Sequence, residues 1–511
     1  MKDLKDLKNL LKATKPNHDY PAGLIHPYWA RKPINITELL VEKLSNPGDL
    51  VVDPFMGSGT SLIAALKLNR RTIGSDLSPI SNLLVSTILS TTDSSTHLKG
   101  ILSSAFEEWR SYAIEIYKTT DGLCVERESF NVEGSYVGGN FRLVNCEVKI
   151  KPIVNNNLKG KVLICDNIIY SCKDDELNIT NPLDFERIEF VENTRIAVHN
   201  GVKASDFFTN RNKSFINHCL LYIRKTEFTE SERNFLKIFL SSMLPLLRLS
   251  DKKASSQWPY WRPKKELTSR NPIVALNKRN KAFIDFLNWS EKELAETQCT
   301  HETFNVPADR LIDIALEDST VDLIITDPPY ADHAPYLEYS DFYWSIIDET
   351  RTKDLWKFEI VKTNAVGRNI DSNDYDIRMM NSFKSILKGL KDDGYFAFFY
   401  LDKNIKHWKT IKRSIIESNC VFEDVIAIPK QRRSMKAVTS PGKTLDGDLI
   451  VICRKSASKL KNQRKITLDD ALIQLSEGTY FDRFAEFIKI YLVNEVTGID
   501  EKIEKDISRI I

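Results

Sequence analysis

A short apolar run, Leu50-Val51-Val52, ends in Asp53-Pro54-Phe55-Met56-Gly57-Ser58-Gly59-Thr60, and this junction constrains the fold more than any other part of the 511 residues. Ahead of it lie an amphipathic helical stretch, Ile34–Leu44, and the turn Asn46-Pro47-Gly48. Behind it come a helical pattern (Leu62, Ile63, Ala65, Leu66) and a second strand, Arg71–Gly74, that ends at Asp76. Gly57 and Gly59 let the backbone approach a ligand closely, and the helix that follows offers free amide hydrogens at its N-terminus. No Gly-Lys-Ser/Thr follows, so this is not a phosphate loop. Strand, glycine turn, helix, strand and an acid about twenty positions on is the layout of an adenosine-type cofactor site. A bare Gly-x-Gly also marks an ordinary tight turn, but the full string with Asp76 makes that the weaker reading.

The same rhythm returns only after residue 303. Phe304–Val306 leads to Asp309, Arg310–Leu316 reads as helix, and Val321–Thr326 is a strand running into Asp327-Pro328-Pro329-Tyr330. A helix at Ser382–Leu390, the turn Asp392-Asp393-Gly394, a strand at Tyr395–Tyr400, a helix at His407–Ser418 and strands near Val421–Ile428 and Asp448–Cys453 follow. Between the two blocks, 95–118 reads as a long helix and 130–205 as short β segments, while Arg211–Lys225, Glu230–Leu249 and Val274–Leu287 read as helices. The expected class is α/β, a doubly wound, mostly parallel Rossmann-like sheet interrupted by a large α+β insertion. Two separate α/β domains flanking a third is the alternative. One split sheet is preferred, because neither half alone supplies a complete cofactor site. The expected division is 1–90 and 301–457 for the sheet domain, 91–300 for the insertion and 458–511 for a helical extension.

At Asp327-Pro328-Pro329-Tyr330 two prolines remove amide donors, leaving carbonyls and a carboxylate as acceptors beside an aromatic ring. That suits a neutral amino group on a planar base. With Asp53–Thr60, it closely resembles the S-adenosylmethionine-dependent amino-methyltransferases of DNA over about 20–90 and 300–455. His26-Pro27-Tyr28-Trp29-Ala30-Arg31-Lys32-Pro33 is similar to the segment preceding that family's glycine motif. The resemblance implies that Lys32, Pro33, Asp53, Pro54, Phe55, Gly57, Ser58, Gly59 and Thr60 bind the cofactor, with Gly57, Gly59 and Thr60 bordering its methionine end and the segment before the glycine motif helping to hold it. It places Asp76 on the ribose hydroxyls, and Asp309 on the adenine. It implies Asp327, Pro328, Pro329 and Tyr330 as the catalytic set, with the target base flipped out and stacked on Tyr330. Asp327 and the Pro328 carbonyl would then accept from the exocyclic amino group, and S-adenosylhomocysteine would leave. Asp at the first position favours adenine, because the cytosine amino enzymes of the family usually carry Ser there. N4-cytosine transfer, an RNA amino-methyltransferase and a catalytically idle DNA-binding subunit are the alternatives.

Net charge is +2, but it is unevenly spread. Nine cations against two acids in 251–281 give +7, and sixteen against five in 403–465 give +11. Trp258, Tyr260, Trp261, Arg262 and Lys264 in the first stretch, with Lys430, Arg432 and Arg433 in the second, are the expected nucleic-acid contacts. Double-stranded DNA is the expected partner, with room for a cognate restriction endonuclease or defence-system subunits and no membrane. Relatives with a similar N-terminal segment often carry a cysteine-paired zinc ribbon in the insertion. The eight cysteines here, at 124, 146, 165, 172, 219, 299, 420 and 453, contain no C-x2-C pair, so no metal is expected. Without an apolar leader at Met1–Lys15, reduced thiols in a bacterial, archaeal or phage-infected cytoplasm are expected. His26 and His333 read as core hydrogen-bonding groups. Asp206-Phe207-Phe208-Thr209 reads as a helix entry, and Tyr336, Glu338, Tyr339 and Asp341 as the wall of a base pocket.

Overall fold

The computed structural model describes residues 3–28, 31–91, 94–134, 141–151, 153–154, 157–158, 163–165, 170–172, 187–193, 198–250, 266–294, 299–330, 335–363, 365–368, 370–429, 445, 447–458 and 463–511. Its centre is a seven-stranded sheet. The strands are β1 (Leu50–Asp53), β2 (Arg71–Ser75), β3 (His301–Phe304), β4 (Val321–Thr326), β5 (Leu390–Phe399), β6 (Cys420–Pro429) and β7 (Gly447–Lys455). Their order across the sheet is β6-β7-β5-β4-β1-β2-β3. The pairings β1–β2, β1–β4, β4–β5 and β2–β3 are parallel, and the two that involve β7 are antiparallel. The chain from residue 76 to 300 leaves between neighbouring strands β2 and β3 and returns beside its point of departure. One split sheet, with helices on both faces, is therefore the architecture.

Alternation along each strand feeds two cores. Val51, Leu323, Ile325, Ala397 and Ile452 face one side, while Val52, Ile324, Phe396, Phe398 and Val451 face the other. The first face is covered by α1 (Ile34–Leu44), α2 (Thr60–Lys67), α3 (Pro79–Ser90) and α4 (Tyr336–Ile347). The second is covered by α5 (Ser372–Lys388), α6 (Ile405–Glu417) and the helix Tyr480–Val493. Buried on both faces, the central strands read as nearly continuous apolar runs.

The insertion adds helices Ser95–Tyr117, Asn210–Lys225, Glu230–Leu247 and Pro272–Glu293. Their buried side chains, such as Trp109, Phe239 and Phe283, belong to the same apolar cluster as the first face of the sheet. The change at residue 90 is thus one of topology, with the core running through it. Thr229 starts the third of these helices with a capping box, its hydroxyl accepting from the Glu232 amide while Glu232 accepts from the Thr229 amide at 2.6 Å. Cys124–Gly134 pairs antiparallel with Phe141–Lys151 and with Glu266–Arg270, giving the insertion a small sheet.

Three elements differ from expectation. The expected turn Asp392-Asp393-Gly394 lies inside β5, which begins at Leu390 and shifts register against β4 there. α5 starts ten residues before Ser382, because Asp371 caps it and Asp374 closes the capping box. The segment after 458 also holds two three-residue strands, Lys465–Thr467 and Glu495–Thr497, paired in parallel. Among the described residues, no helix is long and apolar enough to cross a membrane.

Candidate active site

β1 sits where the strand order reverses, with β2 on one side and β4 on the other, and a crevice opens there at the carboxyl ends of the strands. Asp53 ends β1. Its Oδ1 accepts from Thr326 Oγ1 at 2.5 Å and from the Phe55 amide at 3.0 Å, and its Oδ2 from the Ser61 hydroxyl. Burial outweighs these donors and pushes the carboxyl up to about 7. Through Thr326, the last residue of β4, this one side chain ties the glycine loop to the strand that carries Asp327.

The loop itself needs its glycines. Gly57 and Gly59 have φ of +51° and +76°, in the left-handed region that other L-residues avoid. A Cβ on Gly59 would lie 2.9 Å from Val85, and one on Gly57 would lie 3.0 Å from Tyr28 Oη. Asp76, past the end of β2, closes the loop from the other side. Its Oδ2 accepts from the Gly57 amide at 2.9 Å and its Oδ1 from the Ser78 amide at 2.8 Å. Burial nevertheless pushes Asp76 up to about 6. Each of its oxygens keeps a second lone pair for a ligand hydroxyl.

Three residues beyond the last β1–β4 register pair, Asp327 stands on the acceptor side. Its side chain is 21% exposed, yet Oδ1 is buried and has no hydrogen-bond partner among the described residues. Oδ2 lies 3.3 Å from Lys32 Nζ. Lys32 also reaches Asp448 Oδ1 at 2.8 Å and Tyr330 Oη at 3.2 Å. Burial and the Asp448 charge push Asp327 up, Lys32 pulls it down, and the balance is about 6. Burial opposes the Lys32 charge, but the two carboxylates hold that ammonium well above its ordinary range. The Pro329 carbonyl accepts from Tyr375 Oη at 2.8 Å, so that acceptor is engaged and the carbonyl of Pro328 is left out of this bond. Tyr330 packs edge-on against Tyr400, with ring centroids 5.5 Å apart.

One cleft of about 260 Å³ joins the two sides. Lys32, Asp53, Pro54, Phe55, Gly57, Ser58, Thr60, Asp76, Asp309, Asp327 and Pro329 line it, whereas Pro33, Gly59, Pro328 and Tyr330 are not among its lining residues. Trp258, Tyr260, Trp261, Arg262, Lys264, Lys430, Arg432, Arg433 and His333 lie outside the described residues. Within the two basic stretches, Arg279 is buried and donates to the carbonyls of Leu24 and Ile25. Lys412 donates to the carbonyls of Tyr491 and Asn494, and Arg454 pairs with Asp393 and Glu423. The regional sums therefore overstate the free surface charge.

Of the expected pocket wall, Tyr336 lines the cleft. Asp341 instead turns inward to accept from the Thr352 amide and hydroxyl at 2.7 and 2.8 Å. Glu338 is buried against Arg368 at 2.8 Å and accepts from Asn193 of the insertion. Arg368 also pairs with Glu359, which lines the cleft. His26 is a core group, with Nδ1 at 2.9 Å from the Pro27 carbonyl and Nε2 at 2.9 Å from Ser241 Oγ. Burial lowers it to about 3. Thr209 caps the helix Asn210–Lys225, as a helix entry should.

Sequence reasoning missed Asp448, Glu359, Arg368 and Tyr375. Asp448 had one usable signal: with Gly447 it stands at the head of an apolar strand, and an antiparallel strand would start at the edge where its parallel neighbours end. The crevice as a whole offers acceptors and buried carboxylates, with Lys32, Lys357 and Arg378 as the cations that line it. That suits a ligand carrying positive charge at one end and a planar amine at the other.

Residues 2–81 and 321–486 match the N6/N4 methyltransferase family model, whose description is DNA methylase. The type II methyltransferase M.MjaII of Methanocaldococcus jannaschii is 38% identical over 60 residues, covering 12% of this chain and 11% of that protein. M.EcaI of Enterobacter cloacae is 51% identical over 53 residues, 10% of this chain and 12% of its own. M.HindIII of Haemophilus influenzae is 49% identical over 45 residues, 9% and 15% respectively. The chain thus spans less than a fifth of the length of these relatives.

Proposed function

Because the chain belongs to the N6/N4 DNA methylase family, we propose that it methylates the exocyclic amino group of adenine in double-stranded DNA, at a specific sequence. The observation that carries this reading is the meeting, in one cleft, of a glycine loop closed by Asp76 with a buried carboxylate oxygen, Asp327 Oδ1, that lacks a partner among the described residues. The residues fit S-adenosylmethionine. Gly57 puts bare backbone at the cleft, and Asp53, Asp76, Asp327 and Glu359 give a cationic ligand a favourable field. That cofactor, when bound, supplies a methyl group from its sulfonium and leaves as S-adenosylhomocysteine.

Gly57, Ser58 and Thr60 border its methionine end in this reading, Asp76 holds the ribose hydroxyls and Asp309 faces the adenine. The protein's own work is positioning and electrostatics. Asp327 Oδ1 and the Pro328 carbonyl accept the two N–H groups of the target amine and aim its lone pair. As the N–C bond forms, the amine becomes cationic and sheds one proton, for which Asp327 is the adjacent acceptor. Tyr330, held by Tyr400, stacks on the flipped base. Target recognition falls to the insertion, 91–300, and to the basic segments.

Asp at the first position of the Pro-Pro motif supports adenine over cytosine. The test is transfer of tritiated methyl to duplex DNA, transfer RNA and a blank, followed by nucleoside analysis. N6-methyladenine in duplex DNA is the expected product, lost in Asp327→Ala by about 10²-fold or more. Label in N4-methylcytosine or in RNA alone sinks the adenine-DNA reading.

A further inference from the structure

We propose that Lys32 and Asp448 are a positioning pair for the acceptor carboxylate: Lys32 engages Oδ2 of Asp327, which leaves Oδ1 as the oxygen that receives the target amine. The proposal rests on the methyltransferase reading for its meaning, but not for its geometry. An ammonium has three N–H donors. Those of Lys32 have three partners already, Asp448 Oδ1 at 2.8 Å, Tyr330 Oη at 3.2 Å and Asp327 Oδ2 at 3.3 Å. No donor is left for the carboxylate of a cofactor's methionine end, where the family resemblance would put this residue. Instead Lys32 belongs to the acceptor side of the cleft.

The fold explains how Asp448 comes to be there. β7 runs antiparallel to both neighbours, so its first residues lie at the edge where β4 and β5 finish. Asp448, paired with Ile428 of β6, is the second residue of β7 and faces Lys32 from across the mouth of the sheet. Lys32, Asp327 and Asp448 are 13%, 21% and 18% exposed, so their charges act through little solvent. The groups that face Asp327 come from every element around it. Among the described residues they include Lys32 ahead of α1, Asp448 of β7, Asp53 of β1, Tyr330 in its own motif, Tyr336 of α4 and Tyr28 of the N-terminal segment. Lys32 is the cation among them, and Asp53 and Asp448 are carboxylates.

Two substitutions should therefore move Asp327 in opposite directions. Lys32→Met removes the attraction, and by removing an opposite charge at this range raises the Asp327 titration by about 1–3 pH units. Asp448→Asn removes a repulsion and lowers it. Carbon-13 NMR of aspartate-labelled protein reads both shifts directly, with Asp327→Asn identifying the resonance. In methyl-transfer assays the acid limb of the kcat profile should follow the same two directions. The dissociation constant for S-adenosylmethionine, measured calorimetrically, should stay at the wild-type value in Lys32→Met, and Lys32→Arg should restore most of the wild-type profile. An Asp327 titration that stays in place in both variants overturns the pair, as does Lys32→Met that loses cofactor affinity with its acid limb unmoved. Opposite NMR shifts in a protein that methylates no nucleic acid uphold the pair and overturn the proposed function.

Discussion

Asp53 is the residue where burial and function pull hardest against each other. Its carboxyl is held by Ser61, Thr326 and the Phe55 amide, yet burial lifts it from 3.8 to about 7. A folded-state pKa above the unfolded one means that the fold prefers the protonated form. The resulting stability is fully present below the unfolded pKa and is lost as pH rises through about 7. Asp53→Asn keeps an acceptor for Phe55 and removes the charge. Thermal melts should show it more stable than wild type at pH 8 and little changed at pH 4. A variant that melts lower at both values would mean that the carboxylate itself, rather than its shape, holds the loop to β4. Near neutral pH a cation arriving in the cleft also favours the ionised forms of Asp53 and Asp76. Cofactor binding should thus release protons in this range.

At the scale of elements, the stretch from the 3-10 turn Lys353–Phe358 to Ile370 matters most. It brings Lys357, Phe358, Glu359 and Ile360 to the cleft. Arg368, 3% exposed, fastens it by pairing with Glu359 and with Glu338 of α4, while Asn193 binds Glu338 from the insertion. Arg368→Met leaves two carboxylates buried without a counter-charge and should cost about 3–5 kcal/mol in denaturant unfolding. Adding Glu338→Gln and Glu359→Gln should recover most of the loss. If Arg368→Met alone unfolds like wild type, the pairs are not what holds this stretch.

None of that network was legible in the sequence, because ion pairs 9 and 30 residues apart and a hydrogen bond spanning 145 leave no periodicity to read. β1, β4 and the glycine loop were legible for the opposite reason: strands buried on both faces are unbroken apolar runs, and a left-handed turn calls for glycine. The position of the insertion followed from Asp76 and Asp309 falling on either side of it. The start of α5 carried a signal, Asp371 with Asp374, that apolar periodicity alone passes over. The acceptor role of Lys32 was hidden because Asp448 stands 416 residues away and reaches it only through the reversal of β7.

For the whole molecule, the charge argument becomes a matter of which cations face outward. With Arg279, Lys412 and Arg454 engaged inside the fold, the basic stretches owe any grip on a polyanion to the remainder. Duplex DNA binding should still weaken with salt. A log–log slope of about −3 or steeper is expected, at roughly −0.9 per phosphate neutralised. A flat slope in fluorescence anisotropy would remove the electrostatic case for DNA.

The insertion between β2 and β3 also sets a timetable for the nascent chain. β2 needs β3 as its outer neighbour, pairing Thr72 with His301, and residues 76–300 must be made between them. At about 5–20 residues per second, β3 leaves the ribosome roughly 11–45 s after β2. Through that interval β1 and β2, strands of four and five residues, are a parallel pair too small to be stable alone. The helices of the insertion, emerging next, extend over the same face the cover that α1, α2 and α3 begin. A shortened insertion would thus expose the young sheet to aggregation even where the finished protein tolerates the loss.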